Sequence, residues 1–127
     1  MPFMLKLRWE IKEGAEVEFK SNQEKLCAVM YEHPGVISYH AEYPSPRVSE
    51  WTEIYATDAA FKAHLANEKG KKPLTTMVEA CHKITCRCFG DPDDESKSIL
   101  EGFGTTYEET AAQAFVLNPR ADKDSQV

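Results

Sequence analysis

Residues 3–12, FMLKLRWEIK, alternate without a break: Phe3, Leu5, Leu7, Trp9 and Ile11 fall on one side and Met4, Lys6, Arg8, Glu10 and Lys12 on the other. A period of two is the signature of a strand with one face buried and the other wet. The chain must therefore build a sheet and cover one side of it. The next segment supplies a cover. After Gly14, EVEFKSNQEKLCAVMYEH sets Phe19, Leu26, Val29 and Met30 near helical spacing, which predicts a helix over residues 15–32. HPG at 33–35 stops it, because proline cannot continue a helix and glycine takes the turn.

VISYHAEY is a second strand, with Ile37, Tyr39, Ala41 and Tyr43 on one face, and PSPR after it reads as a rim loop, since Pro44 and Pro46 bring no backbone donor. SEWTEIYA predicts a third strand carrying Trp51, Glu53 and Tyr55 on one side. Thr57 is the expected N-cap of the helix DAAFKAHLA. NEKGKK reads as a solvated loop, Pro73 suits a first helical turn, and LTTMVEACHK places Leu74, Met77, Val78 and Cys81 at helical spacing. ITCRCFG closes with a fourth strand.

Strand, helix, strand, strand, helix, strand is the split βαβ order, an α+β ferredoxin-like arrangement with one four-stranded antiparallel sheet and both helices on one face. Ile, Val, Tyr and Trp at alternating positions of several strands suit water poorly, so the other face is expected to be covered by a second copy of the chain. This domain is expected to occupy residues 1–90. Residues 91–127 form a C-terminal extension: a short helix in DPDDESKSILEGFG, an apolar run from Ala111 to Leu117 that suits helix or strand equally, and a polar end.

The bulk numbers fit one domain. Fifteen basic against twenty-one acidic residues give a net charge of −6, which opposes attraction to phosphate backbones, so nucleic acid is not an expected partner. No apolar run approaches the length that spans a bilayer and the first residues lack the pattern of a signal peptide, so a soluble, cytoplasmic protein is expected, with no membrane partner. Cys27, Cys81, Cys86 and Cys88 form no C-x-x-C pair and read as reduced, buried thiols rather than a metal site.

EHPGVISYHAEYP followed by WTEIYATDAAFKAHL resembles the antibiotic-biosynthesis-monooxygenase family of small dimeric α+β barrels. Its pattern runs E-x-P-G, a tyrosine strand, E-x-W and A-F-x-x-H. Here Glu32, Pro34 and Gly35, then Tyr39, then Glu53 and Tyr55, then Ala60, Phe61 and His64 supply it over about residues 4–90, with tyrosine replacing tryptophan at position 55. The resemblance implies a homodimer in which two sheets face each other, with a pocket in each subunit between sheet and helices. Members include cofactor-free oxygenases of quinols and polycyclic aromatics, and haem-degrading enzymes. The haem-degrading branch carries an asparagine on the first strand, absent from residues 3–12, and tryptophan where Tyr55 stands, so haem cleavage is not expected.

The resemblance thus implies a cofactor-independent monooxygenase acting on a small phenol or quinol with neither metal nor flavin. An ionised, electron-rich phenol reacts with oxygen directly, and the enzyme supplies a base, a donor to the oxyanion and a dry pocket. The candidate catalytic residues are His64 as base and Tyr55 as donor. Trp51 and Trp9 are candidate ring platforms, with Glu53 and Phe61 completing the substrate site. A buried Glu53 would need a partner such as Arg8 or His64. Each has a bland reading beside it: His64 as a satisfied core histidine, Tyr55 and Trp51 as packing, Glu53 as a sheet anchor. The alternative function is a non-catalytic dimeric module that binds a small ligand or a protein.

Overall fold

The computed structural model describes residues 2–108. Its elements are β1 (Phe3–Ile11), α1 (Glu16–Met30), β2 (Val36–Ser45), β3 (Val48–Tyr55), α2 (Asp58–Ala66), α3 (Glu68–Glu79), β4 (Cys81–Gly90), α4 (Asp94–Glu101) and β5 (Thr106–Glu108). The strands form one sheet in the order β2-β3-β1-β4-β5. The ferredoxin-like α+β expectation holds for the first four strands, which are antiparallel. A fifth strand corrects the count: β5 pairs in parallel with β4 through Arg87, Cys88 and Phe89, which makes the sheet mixed. A parallel neighbour needs a crossover, and α4, packed through Leu100 on the helix side of the sheet, supplies it. The apolar run Ala111–Leu117 lies outside the described residues.

A second correction concerns residues 67–83. The stretch expected as a solvated loop is the first half of α3, which is capped by the Asn67 side chain accepting from the Lys69 amide and runs from Glu68 through Pro73 to Glu79. Gly70 and Pro73 are both buried. A side chain at Gly70 would press within 3.1 Å of Leu26, so the glycine lets α3 approach α1 closely. The helix also ends earlier than its spacing predicts. Cys81 belongs to β4 and pairs with Ile11.

Register puts the odd-numbered residues of β1 opposite Tyr55, Glu53, Trp51 and Ser49 of β3 and opposite Cys88, Cys86 and Ile84 of β4. Cys86 and Cys88 do face the same way, both buried. This face packs against the helices in two clusters. One gathers Phe3, Leu5, Tyr55, Phe61, Cys88 and Leu100, and the other gathers Trp9, Phe19, Leu26, Trp51 and Met77. Leu7 and Tyr39 touch both. Leu100 and Ser96 of α4 are fully buried, so the segment that follows residue 90 is part of this core.

The opposite face carries Lys6, Arg8, Glu42, Glu50, Thr52, Thr85 and Arg87, with Arg8 paired to Glu50 at 2.5 Å. Tyr39, Trp51 and Tyr55 lie on the helix side, so the expectation of an apolar outer face is not met: the outer face is mostly polar. Arg8 is accordingly not a partner for Glu53.

The turn before β2 shows what the E-x-P-G residues do. The Gly35 carbonyl accepts from the Ala56 amide at 2.8 Å, and a Cβ on Gly35 would lie 2.3 Å from the Ala60 Cβ. Glycine is required here by this approach to α2. Gly35→Ala is therefore expected to destabilise the fold by about 2 kcal/mol, lowering Tm by ~5–10 °C in a thermal melt. An unchanged Tm would mean that the turn and α2 do not meet in this way.

Candidate active site

A cavity of about 50 Å3 lies under the helices at the seam between the two core clusters. It is lined by all six residues singled out in the sequence: His64, Tyr55, Trp51, Glu53, Trp9 and Phe61. Strand alternation accounts for the convergence, since Trp51, Glu53 and Tyr55 share the inner face of β3 and Trp9 that of β1. Phe61 and His64, three apart on α2, bring two side chains down onto it from above.

Glu53 is 6% exposed and has no cationic partner among the described residues. Its Oε2 accepts the Tyr55 hydroxyl at 3.0 Å. Burial raises its pKa to about 7, against the stabilising effect of the Tyr55 and Tyr39 hydroxyls on the carboxylate. Both tyrosines are held well above their ordinary range, by burial first and the neighbouring carboxylate next, so each keeps its proton. The Tyr39 hydroxyl itself makes no hydrogen bond of ordinary geometry, although it is shut away from water.

His64 is equally buried at 6% exposure, and its ring lies 6.2 Å from that of Tyr55, 6.1 Å from Tyr39 and 5.9 Å from His33. Burial, with a smaller contribution from His33, lowers its pKa to about 4, so the ring is neutral at physiological pH. Its Nδ1 has no hydrogen-bond partner among the described residues. A satisfied core histidine would have one. The His33 ring is tied down by Asn67, Nδ2 to Nε2 at 3.1 Å.

The tryptophans form one wall, with ring centroids 5.2 Å apart and Tyr39 edge-on to Trp51 at 5.0 Å. Trp51 is fixed by its Nε1 donating to Ser49 Oγ at 2.8 Å, and Ser49 in turn accepts from Gln23 at 2.9 Å. Trp9 Nε1 is buried and unpaired. Tilted neighbouring rings form a wall, not the two parallel sides of a sandwich.

Residues that the sequence left out also matter. Tyr39 was visible on the right face of its strand, but its pairing with Glu53 depends on the β2–β3 register, which shifts at both ends of the ladder. Leu74, Val78 and Phe103 come from α3 and from the turn after α4. Among the described residues no three His, Cys, Asp or Glu side chains converge as a metal site would require. Cys81, Cys86 and Cys88 are free thiols with pKa values raised by burial to about 11, 11 and 12, which leaves them unreactive as thiolates.

No protein-family model matches the chain, and no curated protein resembles it in sequence. Solved structures do. A candidate antibiotic biosynthesis monooxygenase from Caulobacter crescentus superposes with a TM-score of 0.63 at 18% identity, covering 72% of this chain and 91% of that one. A mutant of SnoaB, a cofactor-independent oxygenase from Streptomyces nogalater, gives 0.61 at 17% identity over 72% and 94%. A candidate antibiotic biosynthesis monooxygenase from Bacteroides thetaiotaomicron gives 0.61 at 25% identity over 67% and 84%. The chain has the fold of the antibiotic-biosynthesis monooxygenases, in agreement with the motif in residues 32–64. No helix among the described residues is long and apolar enough to cross a membrane.

Proposed function

We propose that this chain is a cofactor-independent monooxygenase of a small phenol or quinol. The observation that carries the reading is the cavity in which a carboxylate, two protonated tyrosines and a neutral histidine, its Nδ1 without a partner among the described residues, meet an aromatic wall. Ionised Glu53 takes the substrate hydroxyl proton. The Tyr39 hydroxyl, which makes no hydrogen bond of ordinary geometry among the described residues, donates to the oxyanion, while Tyr55 orients the carboxylate and neutral His64 offers its Nδ1 to the substrate. Assigning the proton to Glu53 rather than His64 follows from matching: a pKa near 7 suits a base at neutral pH better than one near 4. The substrate supplies both electron pairs. Oxygen adds to the phenolate carbon, one oxygen atom stays as a carbonyl, the other leaves as water, and a phenol with O2 becomes a quinone with H2O.

The test is oxygen uptake on a panel of phenols and hydroquinones in chelator-treated buffer, with quinone formed in equal amount. The 50 Å3 volume favours a second reading, a non-catalytic module of the same fold, because ligand pockets are commonly ~300 Å3 or more. Absence of uptake across the panel would select it. Deleting residues 91–127 would not serve as a test of the extension alone, since Leu100 would leave the core with it.

The proposal includes a homodimer through the outer face of the sheet. Glu42 and Glu50 sit towards its β2–β3 side and Lys6 and Arg87 towards β1–β4. A two-fold axis parallel to the strands would bring each acidic side over the partner's basic side. Sedimentation equilibrium should return twice 14.4 kDa; a mass of 14.4 kDa at micromolar concentration would exclude it.

A further inference from the structure

The cavity is not uniform along its length. It crosses the sheet from β2 to β4, and strand order sorts its chemistry. At the β2–β3 end stand Tyr39, Glu53, Tyr55 and, above them, His64. At the β4 end the walls are Ile84, Leu74, Val78, Leu100 and Phe103, with no charged group. The cavity's exposed apolar side chains are at this second end: Val78 is 39% and Phe103 42% exposed, on opposite lips contributed by α3 and by the turn after α4. Phe103 lies between Gly102 and Gly104, and Gly104 has a φ of 68°, a left-handed turn that leaves the phenyl ring on the surface rather than in the core. Among the described residues no hydrogen bond between side chains ties this turn to α3.

Two half-exposed apolar side chains at the lip of a dry channel leave nonpolar area in water that a ligand would cover. At the polar end stands the Tyr39 hydroxyl, buried and without a hydrogen bond of ordinary geometry among the described residues. A ligand that satisfies both ends must be polar at one tip and nonpolar at the other. We infer that the site takes a phenol bearing a nonpolar chain, its hydroxyl at the Glu53–Tyr39 end and its chain leaving past Val78 and Phe103 between α3 and α4; the phenol itself rests on the function proposed above. Phe103 must swing outward to admit the ring, since the space as it stands holds no more than a few waters.

The test uses the full chain and binding rather than turnover. Its two tryptophans, Trp9 and Trp51, both line the cavity, so quenching of their fluorescence reports occupancy. Titration with 4-methyl-, 4-propyl- and 4-pentylphenol is expected to lower Kd about threefold per added methylene. In Phe103→Glu and in Val78→Glu the ratio of Kd between the methyl and pentyl compounds should collapse to less than about threefold in total. Both side chains are on the surface, and far-ultraviolet circular dichroism checks each variant's fold; the second stands if the first does not fold. Kd values independent of chain length, a length dependence that survives both substitutions, or no quenching by any compound would overturn the inference. Chain-dependent binding without oxygen uptake would remove the monooxygenase and keep the site; uptake without chain dependence would do the reverse.

Discussion

Replacing Glu53 by glutamine is expected to lower kcat/KM for a phenol by about a hundredfold at pH 8 and to abolish its rise with pH. The wild-type rate should climb with pH through an apparent midpoint near 7, because the base works only when ionised and burial sets its pKa to about 7. Glutamine is nearly isosteric and keeps an acceptor for the Tyr55 hydroxyl, so the wall is preserved and the proton acceptor is lost. His64→Gln gives the contrast. A ring with a pKa near 4 is unprotonated across the whole range, so its loss should leave the midpoint where it was. If instead the midpoint disappears in the histidine variant and survives in E53Q, the proton goes to His64, as the sequence pattern first suggested. A kcat/KM in E53Q within threefold of wild type would remove the carboxylate from the chemistry.

The part of this site that the sequence revealed is the part fixed by short-range geometry. Alternation places Trp51, Glu53 and Tyr55 on one face of β3 whatever lies around them. The helical spacing of Phe61 and His64 places both on the buried side of α2. The motif residues turn out to be coupled through packing: Gly35 of the first element touches Ala60 of the last. What the sequence concealed depends on partners distant along the chain. NEKGKK reads as a loop with the helix starting at Pro73, because Gly70 and the charged residues around it lack an apolar stripe, and packing of α3 against α1 overrides that local preference. β5 pairs over only three residues and in parallel, too short for any period to register. The companions of Glu53 are hidden for a similar reason. Arg8 is an even-numbered residue on β1, and pairing puts it opposite Glu50 on the far face, whereas Tyr55, two residues along the same strand, was the nearer partner.

Stability should be nearly independent of pH in the wild type and steeply dependent on it in two variants, with opposite signs. The folded pKa of Glu53, about 7, lies above its ordinary 4.5, so the folded state binds the proton more tightly and loses stability as pH rises from 4.5 to 7. For His64 the folded value of about 4 lies below the ordinary 6.5. The folded state then binds the proton less tightly and loses stability as pH falls from 6.5 to 4. Each span is about 2.5 units, worth about 3 kcal/mol at 1.36 kcal/mol per unit. The two losses run against each other over the same interval, so their sum barely changes between pH 4 and 7. Removing one group exposes the other. In Glu53→Gln only the histidine contribution remains, and urea denaturation should give a protein that gains about 3 kcal/mol between pH 4 and 7. In His64→Gln only the carboxylate contribution remains, and the same interval should cost about 3 kcal/mol. Parallel pH profiles in the two variants would mean that neither group is buried unpaired as described. Two buried groups of opposite tendency, a carboxyl that resists ionisation and an imidazole that resists protonation, keep the cavity nearly uncharged across the range in which the fold must persist, while leaving Glu53 able to ionise near neutrality.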